Sequence, residues 1–208
     1  MLTPGTYDAG SGTTRVRATD ATLPNRIRLA RTPRIALTDL ATVAFLVGID
    51  IAARMLPHAP DFTPVAATAL FAASALRVRS LSLLVPVAGM LVADTLLGFY
   101  DWRVMAVVYG TLALPAIAAC LSNRLRRPGM IVPVLLATSL TFFLLTNFAV
   151  WAFSPLYAAN LTGLLKCYVA ALPFLQNMVA GNLFWALVLF GSRWLVQAMR
   201  APSQIVVA

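Results

Sequence analysis

Residues 130–153 form an apolar run without one charged side chain. About twenty such residues are enough to cross the hydrocarbon core of a bilayer as a helix. The run closes on Thr146-Asn147-Phe148-Ala149-Val150-Trp151. Asn147 and Trp151 stand four apart, so a helix presents both on one face. An amide in hydrocarbon costs free energy unless it has a partner, so Asn147 is expected to face protein, water or a ligand.

Five further apolar runs lie at about 36–56, 63–76, 81–99, 104–122 and 171–196. The second is short for a span, which implies tilt, a break or partial re-entry. The chain is 60% hydrophobic and 11% charged, whereas a soluble domain carries roughly twice that charge. The expected fold class is therefore an all-α integral membrane protein, with six transmembrane helices over residues 35–200. Residues 1–34 are rich in Gly, Ser, Thr, Pro and Arg without apolar periodicity, and read as a disordered basic cytoplasmic tail. They contain no apolar core of a signal peptide. Residues 201–208 read as a short C-terminal tail.

The net charge of +9 would raise nucleic-acid binding in a soluble protein. Here most cations lie between apolar runs, where they set topology instead. With the N-terminus inside, the inner segments hold the six arginines of residues 1–34, Arg77, Arg79, Arg124, Arg126, Arg127, Arg193 and Arg200. The outer segments hold only Arg54, Arg103 and Lys166. That asymmetry favours an even number of spans and cytoplasmic N- and C-termini. It also places Cys120 and Cys167 on opposite sides, which argues against a disulfide between them.

Between spans one and two, Thr63-Pro64 reads as a helix N-cap followed by Pro at the first helical position. Residues 154–169 form the longest outer loop and carry Tyr157, Asn160, Lys166 and Tyr168. Trp102, Trp151 and Tyr157 are expected at the outer interface as an aromatic belt. Asn160-Leu161-Thr162 matches a glycosylation acceptor and reads as chance.

Several side chains point to a site. Asp94 lies inside span three, and an ionisable group in a span is a functional-site candidate. The alternative is a structural carboxyl paired with Arg103 or Asn182. Asp50 has Arg54 four residues on, which offers a local ion pair. Pro173 suits the first turn of span six, placing Gln176 and Asn177 just beneath the outer surface at the depth of Asn147 and Trp151. In span one, Ala44, Gly48 and Ala52 recur every four residues, a spacing that lets another helix approach closely, from this chain or a partner. A Walker-type loop, a His-Glu zinc motif, a Cys-x-x-Cys pair and a plausible Ser-His dyad are all missing from the sequence. An enzyme is not expected, nor is a cofactor or a metal centre.

The chain resembles a family of small, functionally uncharacterised, six-span bacterial membrane proteins. The matching pattern is Asp61-Phe62-Thr63-Pro64 leading to Ala69-Leu70-Phe71, then Asp94, then Thr146-Asn147-Phe148-Ala149-Val150-Trp151. It continues through Gly163-Leu164, Tyr168 and Pro173-Phe174 to Asn177 and Gly181. That family in turn is similar to the substrate-binding S components of energy-coupling-factor transporters, in size, span number and outer polar groups. The resemblance implies an S-component-like bundle in the bacterial cytoplasmic membrane that binds a vitamin or related micronutrient from outside. It implies a pocket of Asp94, Asn147, Trp151, Gln176 and Asn177, with the loop around Tyr168 as its lid. Ala44, Gly48 and Ala52 become the docking face for a transmembrane coupling subunit driven by ATPases. The alternative is a membrane scaffold or assembly protein without a transported solute. A distant third reading is an intramembrane enzyme using Asp94.

Overall fold

A computed structural model describes residues 35–200, and the expected tails at 1–34 and 201–208 lie outside the described residues. Six α-helices follow one another: α1 (Leu37–Met55), α2 (Val65–Ala75), α3 (Leu84–Leu97), α4 (Trp102–Leu121), α5 (Ile131–Phe153) and α6 (Leu161–Arg200). Short 3₁₀ turns at Arg79–Leu83, Asn123–Arg126 and Pro128–Met130 lead into or link them. No strand occurs among the described residues.

The bundle is built around α2. Its sequence, VAATALFAASA, is small and apolar on every side, and Val65 to Leu70, Ala72 and Ala73 are all buried. A helix apolar all round belongs in an interior. Alanine side chains keep its cylinder narrow, so α1, α3, α4, α5 and α6 all pack against it. Leu46, Val85, Ala119 and Leu135 of α1, α3, α4 and α5, with Ala186 and Leu189 of α6, join Ala66, Ala67, Leu70 and Ala73 in one core.

Side-chain bonds fix the direction of each helix. Asp39 in the first turn of α1 accepts from the backbone N–H of Arg77 (3.3 Å), so the exit of α2 lies level with the start of α1. Asp50, late in α1, accepts from Thr68, early in α2 (2.9 and 3.1 Å). Arg54 near the end of α1 meets Asp94 near the end of α3, so α1 and α3 run parallel with α2 returning between them. Cys120 lies against the Arg79 carbonyl (3.3 Å) at one end, and Cys167 against that of Asn147 (3.4 Å) at the other. The chain thus traverses the bundle six times in alternating directions. Residues 35 and 200 end up at the same end, with Arg77, Arg79, Arg124, Arg126, Arg127 and Arg193.

Arg79–Leu97, Trp102–Leu121, Pro128–Phe153 and Leu161–Arg200 are long and apolar enough to cross a membrane, the pattern of a multi-pass membrane protein. Exposed Leu91, Leu140, Leu144, Phe148, Leu172, Phe184 and Leu187 give the bundle an apolar exterior, far more than a soluble surface tolerates. α1 is 19 residues long but carries Asp39, Asp50 and Arg54. α2, at 11 residues, extends only about 16 Å. A hydrogen-bonded turn at Ala59–Thr63 leads into it.

Three local expectations are corrected. α6 starts at Leu161 rather than near 171 and runs 40 residues through Pro173, so the connection from α5 is residues 154–160 and Tyr168 is helical. The start is set by Asn160, whose side chain accepts from Gly163 N–H at 2.8 Å, and Gly163 has no Cβ to strike the Ala158 carbonyl. Pro173 is tolerated because the rest of a long helix and its neighbours hold the backbone. Thr63 does not cap α2; its N–H turns back to the Asp61 carbonyl (2.9 Å), and the helix begins at Val65 after Pro64. Arg54 pairs with Asp94 rather than with Asp50, because Asp50 is wholly buried against Thr68.

Replacing Ala69, which has no exposed surface, by Leu is expected to destabilise the bundle by about 1–3 kcal/mol through overpacking. Ala44→Leu, on the exposed side of α1, is expected to leave stability nearly unchanged. Thermal unfolding of the detergent-purified chain reads both.

Candidate functional site

At the arginine-poor end, α4, α5 and α6 enclose a cavity of about 220 Å³. Val108 of α4, Phe143, Thr146 and Asn147 of α5, and Phe174 and Met178 of α6 line it, and Asp61 of the α1–α2 connection closes one side. The connection is held down into the bundle. Gly181 of α6 lies so near Phe62 that a Cβ there would meet the Phe62 Cα at 3.0 Å, and the Phe62 ring sits 5.8 Å from that of Phe184. Asp61 takes a left-handed backbone conformation, φ 62°, a region that Asp enters more readily than most residues.

The Asp61 carboxyl, the Asn147 amide and the Thr146 hydroxyl, the last bonded to the Phe142 carbonyl, thus meet a space lined otherwise by apolar side chains. Burial pushes the Asp61 carboxyl above its ordinary value, opposed by the Arg54 and His58 charges. The Asn147 side chain donates from Nδ2 to the Phe143 carbonyl at 2.7 Å, which satisfies half its amide locally. Its Oδ1 is approached by the Cys167 thiol at a long 4.0 Å. A carboxyl and an amide oxygen among aromatic rings suit a small solute with hydrogen-bond donors and a flat apolar body. The volume lies below the ~300–1,000 Å³ of drug-sized sites, so the solute that fits is compact.

A buried ionic network stands beside this cavity. Arg54 Nη2 lies 2.9 Å from Asp94 Oδ1, and the Tyr109 hydroxyl donates to Asp94 Oδ2 at 2.9 Å. Asp94 is only 1% exposed, and both its oxygens are engaged. Tyr109, Val108 and Phe142 pack together on Val65, Met90 and Leu112, so the network and the cavity share the α4 wall. Arg54 Nε is buried without a partner among the described residues, leaving a donor near Asp61. His58 Nδ1–H donates to the Leu56 carbonyl (2.7 Å) and is not joined to a nucleophile.

Of the residues expected to form the pocket, only Asn147 lines the cavity. Asp94 is behind the wall, locked by Arg54 and Tyr109. Trp151 turns its Nε1–H to the Ala158 carbonyl (3.0 Å), tying α5 to the following connection, and its ring lies against Phe148. Tyr168 is no lid: its hydroxyl donates to the Leu144 carbonyl (2.7 Å), and its ring supports the cavity-lining Phe143 from behind. Gln176 is exposed on α6 and Asn177 half-buried there, both outside the cavity lining. Asn182 bonds Ser139 (2.9 Å) as glue between α5 and α6. Ala44, Gly48 and Ala52 are all exposed, and a Cβ added at Gly48 would meet nothing. The small face of α1 thus takes little part in packing among the described residues. Asp61 was missed as a lining residue; its signal was an acid two residues before a Thr-Pro that opens an apolar run.

The chain belongs to a family of unknown function, DUF6580, whose profile matches residues 35–204. Neither a curated protein nor a solved structure matches it.

Asp94→Asn is expected to cost on the order of 3 kcal/mol, because it leaves the part-buried Arg54 guanidinium unpaired. Tyr109→Phe is expected to cost about 1.5 kcal/mol. The doubly apolar Arg54→Met, Asp94→Leu variant should recover part of the first loss. Denaturation of the purified variants measures all three.

Proposed function

We propose that this DUF6580 member is a substrate-binding component for uptake of a vitamin-like micronutrient, and not an enzyme. It binds solute in the Asp61–Asn147 cavity from the outer face of the bacterial cytoplasmic membrane. The observation that carries the reading is a small, largely apolar cavity at the arginine-poor end, with one carboxyl and one amide in its lining. By the positive-inside rule that end faces out, with both termini cytoplasmic. Ala44, Gly48 and Ala52 serve as the face that a transmembrane coupling subunit docks on, and ATPases bound to that subunit supply the energy. Their exposure leaves α1 free for close helix contact with a second protein. The rest of the earlier pocket set is reassigned: Asp94 and Tyr168 brace the cavity walls, Trp151 fastens the adjoining connection, and Gln176 and Asn177 leave the site.

Native mass spectrometry of protein purified in mild detergent from rich medium is expected to show a co-purifying small molecule. Asn147→Leu and Asp61→Asn should each weaken its binding about tenfold or more, while Trp151→Phe changes it little. Binding should weaken as pH falls and Asp61 takes up a proton. The midpoint should lie above the ~3.9 of a free Asp, and Asp61→Asn should abolish the dependence. An empty protein in every medium, together with a membrane partner lost on Gly48→Leu, would instead establish the scaffold reading.

A further inference from the structure

The arginine-rich end holds a second cavity, of about 520 Å³, where the end of α2 meets the start of α5 and the last turns of α6. Ser74, Arg126, Phe190, Arg193, Trp194 and Gln197 are in its lining. Arg126 Nη1 reaches the Ala73 carbonyl at 3.4 Å, Nη2 bonds the Asn123 side chain, and Nε is buried without a partner among the described residues. Arg193 Nη1 reaches Ser74 Oγ at 3.5 Å, and its guanidinium lies 5.9 Å from the Phe71 ring centroid.

A guanidinium offers five N–H donors, and those of Arg126 and Arg193 that meet described residues meet neutral oxygens. Among the described residues the ion pairs are Arg54–Asp94 and Arg103–Asp101, so neither cavity arginine has a carboxylate partner among them. Capping the C-terminus of α2 accounts for the contact with Ala73. It does not account for a cavity between two unpaired cations, nor for a buried Nε. Two positive charges facing one part-enclosed space call for an anion able to take several N–H donors at once.

We infer that this cavity binds a phosphate-bearing anion, with Arg126 and Arg193 as its cations and Gln197 as a further donor. Phosphate has the oxygens for both forks, and Phe190 and Trp194 give an apolar wall for whatever the phosphate is attached to. From Lys166 to Arg193, α6 contains no charged residue and rises about 40 Å, the thickness of a bilayer with its headgroups. The cavity therefore stands at headgroup level, where the phosphate of an acidic lipid and a soluble phosphate are both within reach. The inference does not depend on what the outer cavity holds.

The test uses the full chain, stripped of lipid in detergent. Phosphatidylglycerol, phosphatidylcholine or inorganic phosphate is added, and binding is read by native mass spectrometry and melting temperature. The expected result is phosphatidylglycerol binding about tenfold tighter than phosphatidylcholine, falling about tenfold in Arg126→Gln and in Arg193→Gln. Arg124→Gln and Arg127→Gln, which remove the same charge outside the cavity lining, should change it less than about twofold. Inorganic phosphate stabilising the wild type but not Arg193→Gln, without a lipid preference, also supports the site and makes its ligand soluble. Equal losses in all four variants would show a diffuse basic surface and overturn the inference. So would binding unchanged in both cavity variants. If Arg126→Gln does not fold, Arg193→Gln decides alone, since its arginine meets α2 only at the Phe71 ring and, at 3.5 Å, at Ser74 Oγ.

Discussion

The burial of an eleven-residue, alanine-rich helix on all sides is the constraint on which the rest of this structure depends. A helix that narrow lets five others close around it, and it satisfies its own backbone hydrogen bonds while doing so. It also leaves the bundle with two unequal ends. Because α2 extends only about half the depth of a bilayer core, the turned connection that precedes it enters the bundle from one side. That connection lays Phe62 against Gly181, brings Asp61 into the bundle and bounds the first cavity. At its other end α2 stops short beneath the arginines, and the second cavity opens there.

Polar groups are sorted by the same geometry. α1 and α3 run parallel, near enough that a Cβ at Gly89 would meet the Asp50 Cβ at 2.8 Å. That approach aligns Arg54 with Asp94 one turn further along. A charge in this setting needs a partner with good geometry, and Asp94 receives two from two different helices. Asp50, wholly buried, takes its hydrogen bond from the central helix instead. The carboxyls of α1 and α3 thus hold the bundle together, whereas the carboxyl that reaches a cavity comes from the connection.

Much of the fold was legible because its signals are local. Six apolar runs became six helices, most with ends within a few residues of those expected, and the second run's shortness marked the buried helix. The separation of Cys120 from Cys167 followed from the same alternation. The start of α6 was misread because hydropathy reports burial in lipid, and the polar turn holding Lys166 and Tyr168 lowers that signal without breaking the helix. Asn160 held the answer as a cap. In the site, Asn147 was readable from its place in an uncharged run. Trp151, one turn along the same helix, and Tyr168 on the next each spend their one donor on a backbone carbonyl elsewhere.

By itself the sequence determined the helical class, the apolar exterior, the segregation of arginines and the small face of α1, since each is a property of residue type at a fixed spacing. Only the tertiary structure decided which polar side chain meets which. Arg54 lies four residues from Asp50 and forty from Asp94, and helical spacing favours the first pairing. The second wins because a neighbouring helix offers a carboxylate at 2.9 Å while Thr68 already occupies the first. The same holds for the cavity: Asp61 joins Asn147 only because a glycine on α6 lets the intervening backbone lie close, and close approach between distant segments has no signature along the chain.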